Sequence, residues 1–184
     1  SPAKLGNRIF IASGSGHIFG YNTISREIDW DYYIGADIDG STVITKDSCI
    51  LIGFEKQYLK GNGGVLKLNP RNKIDNIVEW FFPVESLNSK SWSDGVIGSV
   101  GIDDQYSNLH KKRAAFIGYN GNLYIVNHNE LSETKVKGPQ LEKEYFQPKL
   151  IYKHNIGSSV STPIFVENKL IAASSKGLWL FEIT

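Results

Sequence analysis

Methionine is absent from the 184-residue sequence, cysteine occurs once and proline six times. The single thiol, Cys49, excludes an internal disulfide, and its neighbours Ile50, Leu51 and Ile52 place it in a buried strand as a small hydrophobe. A nucleophilic cysteine wants a histidine or cation at hand to lower its pKa, and none adjoins it in sequence. Charge is nearly balanced: 20 Lys and Arg against 19 Asp and Glu leave a formal net charge of +1. No broad field then draws the chain to nucleic acid or to an anionic membrane, and neither is an expected partner. Long apolar runs are missing too. Stretches such as Ile9 to Ala12 and Cys49 to Ile52 are only about four residues long, against roughly 20 for a spanning helix, so no membrane span is expected. The opening Ser1-Pro2-Ala3 carries no Met and no charged and apolar leader, which reads as a processed chain or an excised piece. There is no Asn-x-Ser/Thr sequon to indicate a compartment.

Helix periodicity is likewise lacking. No window of 11 or more residues places apolar side chains at i, i+3, i+4 and i+7, whereas 18 Gly, 9 Tyr and 9 Phe punctuate short alternating runs. The chain is expected to be all-β, in four copies of one unit. Each copy has a Ser/Thr-led strand, a β-rich run, a Gly-containing turn, an apolar strand, and a closing strand with an aromatic. The turn glycines are Gly16, Gly64, Gly121 and Gly177, and the closing rings are Trp30, Trp80 and, in the Trp place of the third copy, Tyr152. The fourth copy stops at Thr184 without a closing strand. The units are drawn at about 1–38, 39–96, 97–157 and 158–184, and their openers Ser1, Thr42, Ser99 and Thr162 lie 41, 57 and 63 residues apart. The extra length falls in loops. The polar stretch Asn129 to Glu144, with its Gly138-Pro139, reads as an exposed insertion rather than a strand.

Tight turns between antiparallel strands call for the positive φ that Asn-Gly and Ser-Gly supply. A bulky ring in the fourth strand fills the wedge where neighbouring sheets splay. Ser/Thr-Pro, strand, small residues, Gly turn, apolar strand closed by Asn, then Trp: this order resembles the repeat of the quinoprotein-like (PQQ-repeat type) β-propeller family over essentially the whole chain. It is clearest in Val160 to Phe181 and Ser13 to Trp30. The family's Thr-Gly pair after the third strand is replaced by Asn22-Thr23-Ile24-Ser25 and Asn69-Pro70-Arg71-Asn72. The resemblance implies a propeller of four-stranded antiparallel blades, with rings of about six to eight blades usual, so four units make roughly half a ring. A portion of a larger propeller is therefore expected. Two copies joining as a homodimer and a small closed four-bladed ring are the competing geometries. The resemblance also implies a periplasmic or secreted location.

The residues argue against chemistry. There is no vicinal cysteine pair, no Gly-x-Ser-x-Gly elbow, and no phosphate loop leading into a helix. Asp37, Asp39, Asp103 and Asp104 read as solvated turn carboxylates, too closely spaced for a twelve-residue Ca²⁺ loop. His17, His110, His128 and His154 are scattered and read as surface or turn histidines, and Lys111-Lys112-Arg113 as a solvated loop end. No metal site, no catalytic residue and no cofactor is expected. The loop from Leu87 to Gly95 is different, because Trp92 stands there among Ser, Asn, Lys and Asp. It reads either as an anchor for a partner or as a ring folded over a neighbouring blade. Trp92, Asp94, Tyr106 and His110 are the candidate binding residues. The expected role is a non-catalytic binding or scaffold module presenting loops to a protein or carbohydrate partner. The alternative, a fragment of a quinone- and Ca²⁺-dependent oxidoreductase, predicts a convergent carboxylate pocket.

Overall fold

A computed structural model describes residues 1–87, 94–104, 111–141 and 143–183. The strands form four antiparallel meanders. Blade 1 contains β1 (Ala3–Leu5), β2 (Arg8–Ala12), β3 (His17–Asn22) and β4 (Glu27–Tyr33). Blade 2 contains β5 (Val43–Ile44), β6 (Ile50–Phe54), β7 (Gly64–Leu68) and β8 (Val78–Pro83), with a single 3-10 turn at Ile74–Asn76. Blade 3 contains β9 (Gly101–Ile102), β10 (Arg113–Ile117), β11 (Asn122–Lys137) and β12 (Glu144–Asn155). Blade 4 contains β13 (Ile164–Val166), β14 (Lys169–Ser174) and β15 (Gly177–Glu182), and has no fourth strand among the described residues. The fold is an all-β propeller array whose last blade is one strand short.

The recurring Ser/Thr openers have a structural reason. The amino terminus of Ser1 donates to Ser41 Oγ (2.7 Å), the Ser41 N–H to Ser99 Oγ (2.7 Å), and the Ser99 N–H to Thr162 Oγ1 (3.0 Å). Each blade's first segment thus hands one hydrogen bond to the next, at the inner end where strands crowd. Crowding there also explains Gly101: a Cβ at that position would stand 2.1 Å from the Pro163 carbonyl oxygen. Of the turn glycines, Gly16, Gly121 and Gly177 adopt positive φ (86°, 85° and 127°). Gly64 does not; it opens β7, where a Cβ would meet the Phe82 carbonyl.

Burial follows position in the array. All five residues of β6, β7 and β10 are buried, because blades 2 and 3 are covered on both faces. Three core clusters join blade 1 to 2 (Phe10, Ile18, Ile52, Phe81), 2 to 3 (Leu51, Trp80, Phe82, Phe116) and 3 to 4 (Ile117, Ile125, Leu170, Ala172). No described cluster joins blade 4 back to blade 1, so the four-blade ring is not closed by its own core. Both end blades expose apolar side chains: Ile28 (59%) and Tyr33 (61%) on blade 1, beside the Arg8–Asp29 and His17–Asp31 pairs, and Ile164 (58%), Leu178 (78%) and Leu180 (62%) on blade 4. Ile164, Ile171 and Leu180 stand in one cross-strand row.

The three closing rings share one register. Trp30 pairs with Gly20, Trp80 with Lys67 and Tyr152 with Ile125, and in each blade the register shifts by one residue immediately beside that pair. This bulge turns the ring out of the strand plane toward the next blade. Trp80 is 1% exposed and its Nε1 donates to the His128 carbonyl (2.9 Å), while Tyr152 packs edge-on to Phe181 of blade 4.

The stretch Asn129 to Glu144 is not a loop insertion. Residues 129–137 continue β11, Glu144 begins β12, and Lys135, Val136 and Lys137 pair with Phe146, Tyr145 and Glu144. The resulting ribbon crosses the outer strand of blade 2 and reaches blade 1. Val136 and Tyr145 pack on the core shared by blades 1 and 2, and the tip residues Gly138 and Pro139 are buried. Gly61 N–H donates to the Pro139 carbonyl (2.9 Å), Gln140 Nε2 to the Ile34 carbonyl (3.4 Å), and Lys143 Nζ to the Asp75 carbonyl (2.9 Å). Polar composition is compatible with a strand here because one side of the ribbon faces solvent and the other lies on β8.

Candidate functional site

In a meander, successive connections leave at alternate ends of the blade. One end gathers the β4–β5, β6–β7, β8–β9 and β10–β11 connections into a rim held by backbone hydrogen bonds. Glu55 N–H donates to the Asp37 carbonyl (3.1 Å), Lys56 N–H to Asp94 (2.5 Å), Val96 N–H to Phe54 (3.0 Å), and Tyr119 N–H to Gly95 (2.9 Å). Connections from three blades are thereby fixed to one another. Asp94, 2% exposed, accepts from the Ser86 hydroxyl, which in turn accepts from Lys56 Nζ (3.3 Å). Trp92, Tyr106 and His110 lie outside the described residues.

Glu55 terminates the all-apolar β6 and is 2% exposed, with Oε2 lacking a hydrogen-bond partner. Burial, then the hydrogen bond and charge of Asp39, then the charge of Asp37, push its carboxyl up to about 7. In the unfolded chain that group titrates near 4.5, so the native state binds the extra proton between those values. Its stabilising effect is complete below about 4.5 and is lost as the pH rises through about 7. Urea unfolding should show stability falling by about 1–3 kcal/mol across this window, and Glu55→Gln should flatten that part of the profile. An unchanged slope in the variant would remove Glu55 as the cause.

The same end continues between blades 3 and 4 as a shallow cleft of about 340 Å³ lined by Tyr119, Ser158, Ser159, Val160, Ser174 and Ser175. Its hydroxyls are partly committed: Ser159 Oγ donates to the Ala173 carbonyl (2.6 Å) and Ser174 Oγ to Ile156 (2.5 Å).

The opposite end corrects several sequence expectations. Asp103 and Asp104 are not solvated turn carboxylates; they are 2% and 1% exposed. Asp103 accepts from Arg113 Nε (2.5 Å) and from the Arg113 N–H (2.8 Å), so Arg113 is a buried ion-pair partner rather than a solvated loop end. Asp104 accepts from the Lys46 N–H (2.9 Å), tying blade 3 to the β5–β6 turn of blade 2. His128 is buried, 1% exposed, and not a surface residue. His17 and His154 do sit on half-buried or exposed strand positions. Lys67, in the middle of β7, is 2% exposed and donates to Asp47 Oδ2 (2.7 Å), the His128 carbonyl (3.0 Å) and Asn129 Oδ1 (2.6 Å). Burial opposes ionisation of Asp47, but Lys67 and the Thr45 hydroxyl outweigh it and hold the carboxyl below its usual range. Asp94 and Asp104, at the described flanks of the two candidate loops, lie at opposite ends of the blades: Asp94 beside Lys56 after β6, Asp104 beside Lys46 before it. Cys49 is buried as expected, and burial pushes its thiol up to about 12, which leaves no thiolate at neutral pH.

These sheets, their order and their Ser/Thr relay define a β-propeller. Its structural neighbours include propellers of the PQQ-repeat type: BamB from Moraxella catarrhalis (TM-score 0.65, 16% identity, 98% of this chain and 44% of that one) and the quinohemoprotein alcohol dehydrogenase from Comamonas testosteroni (0.67, 8%, 98% and 33%). Saccharomyces cerevisiae Sqt1 is similar at TM-score 0.66 and 12% identity over 95% of this chain and 42% of that one. The chain therefore spans less than half the length of each of these proteins, and identities this low establish the fold alone. No family model and no curated protein sequence matches the chain. No helix among the described residues is long and apolar enough to cross a membrane.

Proposed function

We propose that the chain is a non-catalytic binding or scaffold module whose rim presents loops to a protein or carbohydrate partner, in a periplasmic or secreted setting. The observation that carries this reading is the backbone cross-bonding of connections from three blades around Asp37, Glu55 and Asp94. Such a rim is preorganised, so a partner docks without ordering loops at its own expense. Trp92, two residues before Asp94 in sequence, is the anchor in this proposal. Trp92→Ala should leave the unfolding free energy within about 0.5 kcal/mol of the parent, as for a surface change, while lowering retention on a glycan array or in photo-crosslinked complexes. Unfolding of the variant would assign Trp92 to the core, and undiminished binding would remove it from the site.

The oxidoreductase reading has one feature in its favour, the gathering of Asp37, Asp39 and Glu55 on one rim. It requires Ca²⁺-dependent quinone binding, which a spectroscopic titration reports directly. The apolar side chains exposed on the end blades supply a second binding surface. They suit further propeller blades, from a second copy or from a longer parent chain. Light scattering that gives a monodisperse species near twice 20.6 kDa would mark two arcs completing one another, and a clean monomer would count against a pairing of copies.

A further inference from the structure

We propose that Asp47, Asp104 and His128 form a site for a first-row divalent cation, with Zn²⁺ as the type ion, where blade 2 meets blade 3. The three come from separate elements: Asp47 from the β5–β6 turn, Asp104 from the connection after β9, and His128 from within β11. One ligand atom of each lies within 4.8 Å of the other two, and His128 Nε2 is 3.1 Å from Asp104 Oδ2. Two ligands bound about 2.1 Å from a common ion stand roughly 3–4 Å apart, a range that includes the 3.1 Å between His128 and Asp104, and Asp47 lies within 4.8 Å of both.

The hydrogen bonding points the same way. The side chains of His128 and Asp104 are 0% exposed, yet neither ring nitrogen of His128 nor Oδ1 of Asp104 has a hydrogen-bond partner. Nε2 and Oδ2 stand 3.1 Å apart as a close ion-pair contact, and against the opposing effect of burial His128 helps to hold the Asp104 carboxyl below its usual range. Buried polar groups left this way are costly unless something fills the gap.

Charge points to the same place. The three ammonium protons of Lys67 are committed to Asp47, the His128 carbonyl and Asn129, so its charge balances Asp47. Among the described residues, Asp104 is then left with His128 in contact and the more distant charge of Lys112. Asp47 keeps coordinating capacity, since each of its oxygens accepts one hydrogen bond, from Thr45 Oγ1 and Lys67 Nζ, and retains a second lone pair. It is also 32% exposed, which gives an ion a way in. An imidazole with two carboxylates suits Zn²⁺ or Mn²⁺ better than Ca²⁺ or Mg²⁺, which prefer all-oxygen sets. A bound ion would cross-link the β5–β6 turn to β11.

The test is a Co²⁺ titration of the chelator-stripped chain, followed by visible ligand-field absorption. The expected result is one saturable equivalent, displaced by Zn²⁺ and not by Ca²⁺, with affinity weakened about tenfold or more in Asp47→Asn and lost in Asp104→Asn. Circular dichroism checks that the variants are folded. Should Asp104→Asn fail to fold, the half-exposed Asp47→Asn decides alone. Absence of saturable binding to the parent chain, or unchanged affinity in Asp47→Asn, overturns the site.

Discussion

Replacing Trp80 by alanine should cost about 3–5 kcal/mol in urea unfolding, among the largest effects expected of a single side chain here. The ring is 1% exposed between blades 2 and 3, packed in the cluster that holds Val65, Phe82 and Phe116. Truncation leaves a cavity that two rigid sheets cannot collapse into, and removes one of the two donors to the His128 carbonyl, the other being Lys67 Nζ. Trp80→Phe separates the two contributions: it keeps most of the apolar volume and loses the donor, and should cost about 1 kcal/mol of hydrogen bond plus a smaller cavity. Tyr152→Ala is the internal control, since that ring occupies the same register but is 39% exposed, and its loss should be the smaller. A cost below about 1 kcal/mol for Trp80→Ala would show that the ring does not wedge the blades.

The second large effect concerns Asp103 and Arg113. Removing either partner alone leaves a charge buried without its counter-ion, at about 3–5 kcal/mol, whereas replacing both with apolar groups should recover much of that loss. Side-chain exposures of 0% for Asp103 and 5% for Arg113 place the pair in the regime where this asymmetry holds. Asp103→Ala also strips the acceptor from the Arg113 N–H at the start of β10. Arg113→Met keeps an apolar stem but loses the guanidinium, whose Cζ stands 5.8 Å from the centre of the Phe165 ring of blade 4. The pair of single variants and the Asp103→Ala/Arg113→Met double variant form a cycle. Strongly non-additive costs are expected, and simple additivity would mean that the two groups are effectively solvated.

How much could be read from residues alone divides along physical lines. Openers such as Ser1 and Ser99, turn glycines such as Gly16 and Gly121, and the rings of Trp30 and Trp80 were legible because local register determines their roles, and register repeats with the unit. The β11–β12 ribbon was not. Its apolar residues are sparse, and what makes Val136 and Tyr145 core residues is a docking surface on blades 1 and 2 that is distant in sequence. Glu55, Lys67, Asp104 and His128 escaped for a related reason. Each becomes buried only when blades meet, as when Asp104 reaches Lys46 across 58 positions. One local signal was available for Glu55, a carboxylate directly after the unbroken apolar run Cys49 to Phe54. Fold came from repetition, and the buried polar groups came from the departures.

The ribbon also changes how such an array should come apart. Units that touch only their neighbours behave as a one-dimensional chain, able to fray blade by blade from either end. Blade 3 reaching over blade 2 to the Ile34 carbonyl on blade 1 adds a tie between units that are not consecutive. Blade 1 then cannot melt without disturbing the tip of a hairpin that begins about 90 residues later in the chain, so the first three blades should unfold as one cooperative body. Blade 4, outside that tie, is left as the natural place for unzipping to start.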